Sequence, residues 1–536
     1  MRIAWSTVVL CGALAMSPQV GWAQQDHEHM HAPEAAFGHI NFPTSCAKAV
    51  QPEFEMAVAE LHSFEYSTAL KAFHKIQGAD PGCAIAYWGE AVSLYHPLWN
   101  NLSEGDLTVG WGLVEKAQAA KETSAREAGY IAAATALYKP GKQSHEDRAD
   151  AYANAMSKLH DNYPDDEEAA IIYALSLLGS ESPSDTSLSH SKKAVAILNG
   201  IMAKDPEHPG VTHYIIHACD NPKMAPEGLA AARQYASIAP SSAHAVHMPS
   251  HIFARLGLWQ ESIKSNLAAM EVAKKGGEET EYFLHPADFL MYAYLQTGQD
   301  EKARAVESEA IGMKNSGFGH GRENYYYYVQ AHFPAMVALE TKDWKAAVAL
   351  QVPAGAGSGI QETVYATQAI GAGHLKDVAA AKKAVKGVEA AATEDEKKHP
   401  SREKRPVDTD VNEAKAWLAF AEGRNDEAFA LLKPVIERQD AVGKGEVELP
   451  AREMYADMLL ELNRPKQALE QYQLSLKTDP NRFNGLYGAG RASEAAGQQE
   501  AAVGFYKQLL LNCEGSQRTE LTHAKKVIAE VSTAQK

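Results

Sequence analysis

The sequence predicts an all-α fold, a solenoid of helical hairpins stacked one on the next. Three observations carry that expectation. A small residue, followed four positions on by a large apolar one and closed in the clearest copies by a proline twelve positions on, recurs along the chain, and Ala468 and Ala502 lie 34 residues apart in this register. No segment alternates apolar and polar residues long enough for a sustained β-strand. The chain has 536 residues, 45% hydrophobic and 22% charged, a globular composition with length enough for an extended array. Disorder throughout is excluded. Asp and Glu outnumber Lys and Arg 68 to 51, and the net charge of −17 opposes binding to nucleic acid or anionic lipid, so no nucleic-acid partner is expected.

In chain order, residues 1–23 read as a secretory leader. Arg2 precedes an apolar run from Val8 to Met16, and Gly21-Trp22-Ala23 supplies a cleavage site. That run is too short to span a bilayer, and no later segment reaches 18 apolar residues, so no membrane insertion is expected. Leu10 precedes Cys11 where a lipoprotein would carry a small residue. The expected location is periplasmic or secreted. Residues 24–44 form a His-rich flexible tail, in which Asp26-His27-Glu28-His29-Met30-His31 reads either as a weak copper or zinc collector or as a solvated linker. Four cysteines follow the leader, too few for a disulfide-built fold. Cys46 and Cys83 are the candidate pair, with two buried thiols as the alternative.

The hairpin array fills residues 45–392 and 409–520. Tyr66, Ala69, Phe73 and Pro81 make an early copy, Ala468, Tyr472 and Pro480 a late one, and Ala502 with Tyr506 continues it. Fainter copies carry Ala194 with Pro206, Ala303, Trp344 with Ala347, and Ala428 with Leu432. About eleven hairpins are expected between 45 and 515 on a 34-residue period. A charged linker at 393–408, centred on Glu394 to Arg405, is expected as an exposed hinge between two halves. In register and residue choice the chain resembles the tetratricopeptide repeat (TPR) family over nearly its whole length after the leader. The resemblance implies a right-handed superhelix whose first helices line a concave groove, with a peptide or protein partner in that groove by default.

Histidine carries the specific signal: six of 22 fall between residues 208 and 251. His213, His217 and Asp220 sit at i, i+4 and i+7, on one face of a helix. His244, His247 and His251 follow at i, i+3 and i+7. Pro206 and Pro240 lie 34 apart, which places His213 level with His247, and His217 level with His251. By resemblance to the family these positions face the groove, so the four imidazoles are expected in one cavity with Asp220 as a further metal ligand. His244, His285 and Asp288 are added candidates. Such a site suits zinc, copper, iron or nickel. Arg255 is expected to hold an anionic ligand, and Tyr326 and His332 to line the cavity further along. Position five of successive units then reads His213, His247, Asp288, His332. A lone helical histidine is more often a hydrogen-bonded structural residue, and His62, His74, His160 and His523 are read that way.

No H-E-x-x-H, G-x-S-x-G or phosphate-loop pattern is present. Catalysis is therefore left open. The expectation is a secreted or periplasmic repeat protein that binds a transition metal in its groove, with action on a small ligand left open. The alternatives are a metal-free scaffold for a peptide or protein, and a periplasmic metal store or carrier.

Overall fold

In the computed structural model the described residues are 36–536, except 100–101, 121–122, 183, 277–279, 314–322, 399–406, 446–447, 514 and 535–536. The leader and the His27 to His31 stretch lie outside them. The regular elements among the described residues are all helical, and they pair into twelve hairpins followed by a terminal helix, Thr519–Ala534. None is long and apolar enough to cross a membrane.

Local chemistry sets the hairpins. Ser103, Ser124 and Ser144 each close a capping box with the acidic residue three positions on, satisfying backbone N–H groups the first turn leaves free. Inside eight hairpins the turn passes through one left-handed residue two positions before the second helix, namely Phe64, Gly257, Gly298, Lys342, Lys376, Gly423, Asn463 and Gly497. The small residues of the repeat, Ala69, Ala194, Ala303, Ala347, Ala428, Ala468 and Ala502, are fully buried. The aromatic four positions later uses a missing side chain opposite it. A Cβ on Gly89 would lie 2.4 Å from the Phe73 ring, and one on Gly488 equally close to Tyr472. Helices therefore approach where glycine meets ring.

Two expectations are corrected. The tail is not free along its whole length: from Ala36 it packs as a strap, with Phe37, Ile40 and Phe42 buried and Ala36 exchanging hydrogen bonds with Ser241. The linker is partly helix, because Val378–Lys398 continues through its first residues, and alanines at 381, 384 and 391 keep one face of that helix buried. Residues 399–406 of the expected hinge lie outside the described residues, and on either side of them Ser358–His374 packs on both Val378–Lys398 and Thr409–Ala421. Residues 36–536 form one compact unit. Cys46 and Cys83 are joined by a disulfide, with Cα atoms 4.7 Å apart.

The C-terminal repeats also return onto the middle of the array. Trp259 Nε1 donates to the Asn481 carbonyl at 2.8 Å, and Arg518 pairs with Asp300. Arg482, 1% exposed, reaches Glu340 at 2.9 Å and Glu453 at 3.0 Å. Arg482 also donates to Tyr292 on the helix of His285, so these contacts bring Asn481, Arg482 and Arg518 beside the hairpins that carry His251 and His285.

Candidate metal centre

Three successive first helices supply the histidines: Pro209–Ala218, the pair Ala243–His247 and Pro249–Arg255, and Thr280–Gln296. Pro209 starts the first of these at a position where its missing N–H costs nothing. Pro249 lacks the N–H that would bond back to Ala245, so the second helix breaks at Met248. The next helix starts at Pro249, and His244 and His247 lie on the one-turn helix before it. Pro286 interrupts the ladder of the third helix directly after His285.

The imidazoles form two trios. His213, His217 and His244 make one, His247, His251 and His285 the other, and in each the ligand atoms lie within 4.8 Å of one another. His213 Nε2 is 3.0 Å from His244 Nε2 and 3.1 Å from His217 Nε2, and His247 Nε2 is 3.0 Å from His251 Nε2. The trios adjoin: ring centroids are 6.3 Å apart for His217 and His251 and 6.4 Å for His244 and His247. His213 and His247 are 0% and 1% exposed, whereas His217, Asp220 and His285 are half-buried and mark the mouth.

Second partners fix the tautomers. His213 Nδ1 donates to the His62 carbonyl at 2.6 Å. His247 Nδ1 donates to Asn266 Oδ1 at 2.6 Å, and the Asn266 amide is oriented because its nitrogen donates to the Ser262 carbonyl. His251 Nδ1 donates to Asp220 Oδ2 at 2.8 Å. With the proton on Nδ1, each of these three Nε2 atoms presents a lone pair. Burial, and after it the neighbouring imidazoles, hold His213, His244 and His247 far below the ordinary histidine range. The same causes push His217 down to about 3 and His285 down to about 4.

Apolar rings cover each trio. Phe64 lies 4.3 Å from His213 and 5.4 Å from His217, centroid to centroid. Phe289 lies 4.5 Å from His251 and 5.0 Å from His247. Trp99, 50% exposed, stands edge-on to His244 at the outer side.

The expected single cavity of four imidazoles plus Asp220 is thus corrected to two trios completed by His244 and His285. Asp220 stands behind His251 rather than among the ligands, because Arg255 Nε takes its other oxygen at 2.9 Å. Arg255 is itself committed, donating also to the Lys444 carbonyl at 2.8 Å, so its expected role as anion holder is corrected to that of a strut. Asp288 belongs to neither trio. It accepts from Tyr328 at 2.9 Å and faces His332 at 3.5 Å, and although burial opposes it, the Asp288 carboxylate lifts His332 above its ordinary range. His285, nearly one turn before Asp288 on the same helix, is the residue that reaches the second trio, 4.5 Å from His247 between ring centroids. Tyr328, not Tyr326, stacks on His332, at 4.6 Å, while the Tyr326 ring meets Tyr327.

Sequence reasoning missed Phe64, Phe289, Trp99 and Asn266. It also missed a buried group behind the first trio. Glu168 bridges His62 Nε2 and His208 Nε2, both at 2.9 Å, and against the effect of burial these two imidazoles hold its carboxyl far below the usual range. Tyr214 fixes the other nitrogen of His62 at 2.8 Å. Only the occurrence of His62 and His208 beside the repeat register hinted at it.

No family model matches the sequence, and no curated protein matches it. Among solved structures the chain is similar to the TPR domain of P58(IPK), at 13% identity over 90% of this chain and 99% of that one, with a TM-score of 0.20. It is similar also to a human IFIT1 dimer with m7Gppp-AAAA, at 11% identity over 80% of this chain and 90% of that one, with a TM-score of 0.36. Its own hairpins, with their fully buried small residues and shared left-handed turns, make the chain a TPR-like helical-repeat scaffold.

Proposed function

We propose that this protein holds a pair of transition-metal ions, one in each histidine trio, and presents them to a small ligand. One observation carries the reading. His247 and His251 both keep their proton on Nδ1, yet their Nε2 atoms stand 3.0 Å apart. Two lone pairs at that distance repel unless a cation lies between them. Burial disfavours a charge on His247 itself, and a third ring, His285, converges on the same point. Metal–nitrogen bonds of about 2 Å from three imidazoles fit that spacing. The paired histidines backed by a carbonyl, an amide and a carboxylate follow the usual outer-shell support of metal ligands.

Periplasmic or extracellular placement belongs to the same proposal, supported by the leader pattern and the Cys46–Cys83 disulfide. A peptide lying along the first helices meets a site whose rings are mostly buried, which favours a small ligand over a macromolecular one. A storage role fits less well, because the ligands are committed to two fixed positions.

Elemental analysis of untagged protein tests the reading, with His217→Ala and His251→Ala each removing a ligand from a different trio. Wild type should carry two metal ions per chain, and each variant should lose at least one with its helical circular dichroism intact. Unchanged metal content in both variants would refute the site.

A further inference from the structure

The two trios raise the question of which metal and which ligand they suit. All six convergent donors are neutral imidazoles. The two nearby carboxylates are turned away, Asp220 to His251 Nδ1 and Arg255, Asp288 to Tyr328 and His332. The free thiols, Cys219 and Cys513, are not members of either trio. Two divalent ions would thus bring four positive charges into a buried pocket whose ligands bring none. Two monovalent ions bring half as many. Copper is the transition metal that imidazole binds well in a monovalent state, and it also stands highest in divalent affinity for nitrogen ligands.

The trios face one another, and cross-trio ring separations of 6.3 and 6.4 Å barely exceed the 6.2 Å between His217 and His244 within one trio. Two ions so held are within reach of a single bridging ligand, since two-metal sites typically set their ions about 3.5–4 Å apart. That bridge must come from outside. Phe64 and Phe289 make the cover apolar, which suits an uncharged diatomic better than a hydrated anion.

We propose, resting on the two-metal reading above, that the site binds two Cu(I) ions and that its ligand is dioxygen, taken up as a bridge between them. Each Cu(I) gives one electron. Dioxygen gains both, its O–O double bond becomes the single bond of peroxide, and two Cu(II)–oxygen linkages form. No proton and no further reductant enter this step, and release of dioxygen returns both electrons to copper. Asp220, through His251, and the His62 carbonyl, through His213, hold the rings while the copper charge changes.

The test uses the full-length protein loaded with Cu(I) under argon and then titrated with dioxygen. Three quantities are read: copper per chain, dioxygen consumed, and the electron paramagnetic resonance of the oxygenated sample. The expected result is two copper ions per chain, one dioxygen per copper pair, and a new near-ultraviolet charge-transfer band without a paramagnetic copper signal. His217→Ala should bind one copper and take up no dioxygen. Two bound copper ions with no dioxygen uptake would overturn this inference and leave the two-metal site standing. Failure to bind copper at all would overturn this inference, and metal analysis of the protein as isolated would then decide the two-metal reading separately. Dioxygen uptake that survives in the one-copper variant, or an isolated Cu(II) signal, would overturn the bridge.

Discussion

Phe64 occupies the left-handed turn position that glycine fills in the hairpins at Gly257, Gly298, Gly423 and Gly497, with φ of 59°. A side chain with a Cβ costs about 1–2 kcal/mol in that conformation, and a bulky ring there is a genuine outlier. The ring is nevertheless 2% exposed and packs at a tilt against His213. The strain thus holds an apolar cover over the first trio, in keeping with the concentration of strained backbone at functional sites. Substitution separates the two effects. Phe64→Ala loses the ring and keeps the Cβ strain, whereas Phe64→Gly loses the ring and relieves the strain. Glycine should therefore be the milder change by about 1 kcal/mol, the reverse of its ordinary penalty in regular structure. Urea unfolding of both variants checks the order, and an alanine variant as stable as the glycine one would show that the turn is not strained.

At the level of helices, the His251 carrier Pro249–Arg255 is tied to the end of Pro209–Ala218 by Asp220, which accepts from both His251 and Arg255. Asp220→Asn keeps the shape and removes the charge that orients His251. Loss of such a partner typically costs 10–100-fold in metal affinity. Competition titration should show that loss at one of two sites, with the His213 trio unchanged; equal weakening of both would mean Asp220 acts on the fold rather than on one ring. How much of this was readable follows from where the periodicity holds. His213, His217, His247 and His251 were legible because one repeat length and one helical turn fix them together. His244 and His285 were only added candidates, since Pro249 breaks one helix and His285 lies nearly one turn off the repeat position that Asp288 takes on the next. Phe289 has no signature apart from core aromatics. Phe64 hides in a turn whose handedness a phenylalanine does not advertise.

The return of the C-terminal repeats onto the middle of the array had no sequence signal, because contacts between residues 142 to 222 positions apart leave no period. Arg482 is the clasp. Its guanidinium is buried with Glu340 and Glu453, and it also donates to Tyr292. The same return places the Lys444 carbonyl on Arg255, and through it behind Asp220 and His251. A distant ion pair therefore supports the second trio and leaves the first to the His62 and Glu168 group. Breaking a buried pair by removing one partner costs about 3–5 kcal/mol, mostly from the charge left behind. Arg482→Met leaves two buried carboxylates without their cation, so its unfolding free energy, read from the denaturation midpoint and slope, should fall by an amount in that range. Adding Glu340→Gln and Glu453→Gln removes the orphaned charges and should restore most of the loss. Metal titration completes the argument: the single variant should weaken the His247 trio more than the His213 trio, and the triple variant should recover it. If the single variant leaves both the midpoint and the metal affinities unchanged, Arg482 is not the clasp, and the second trio is held by its own helices alone.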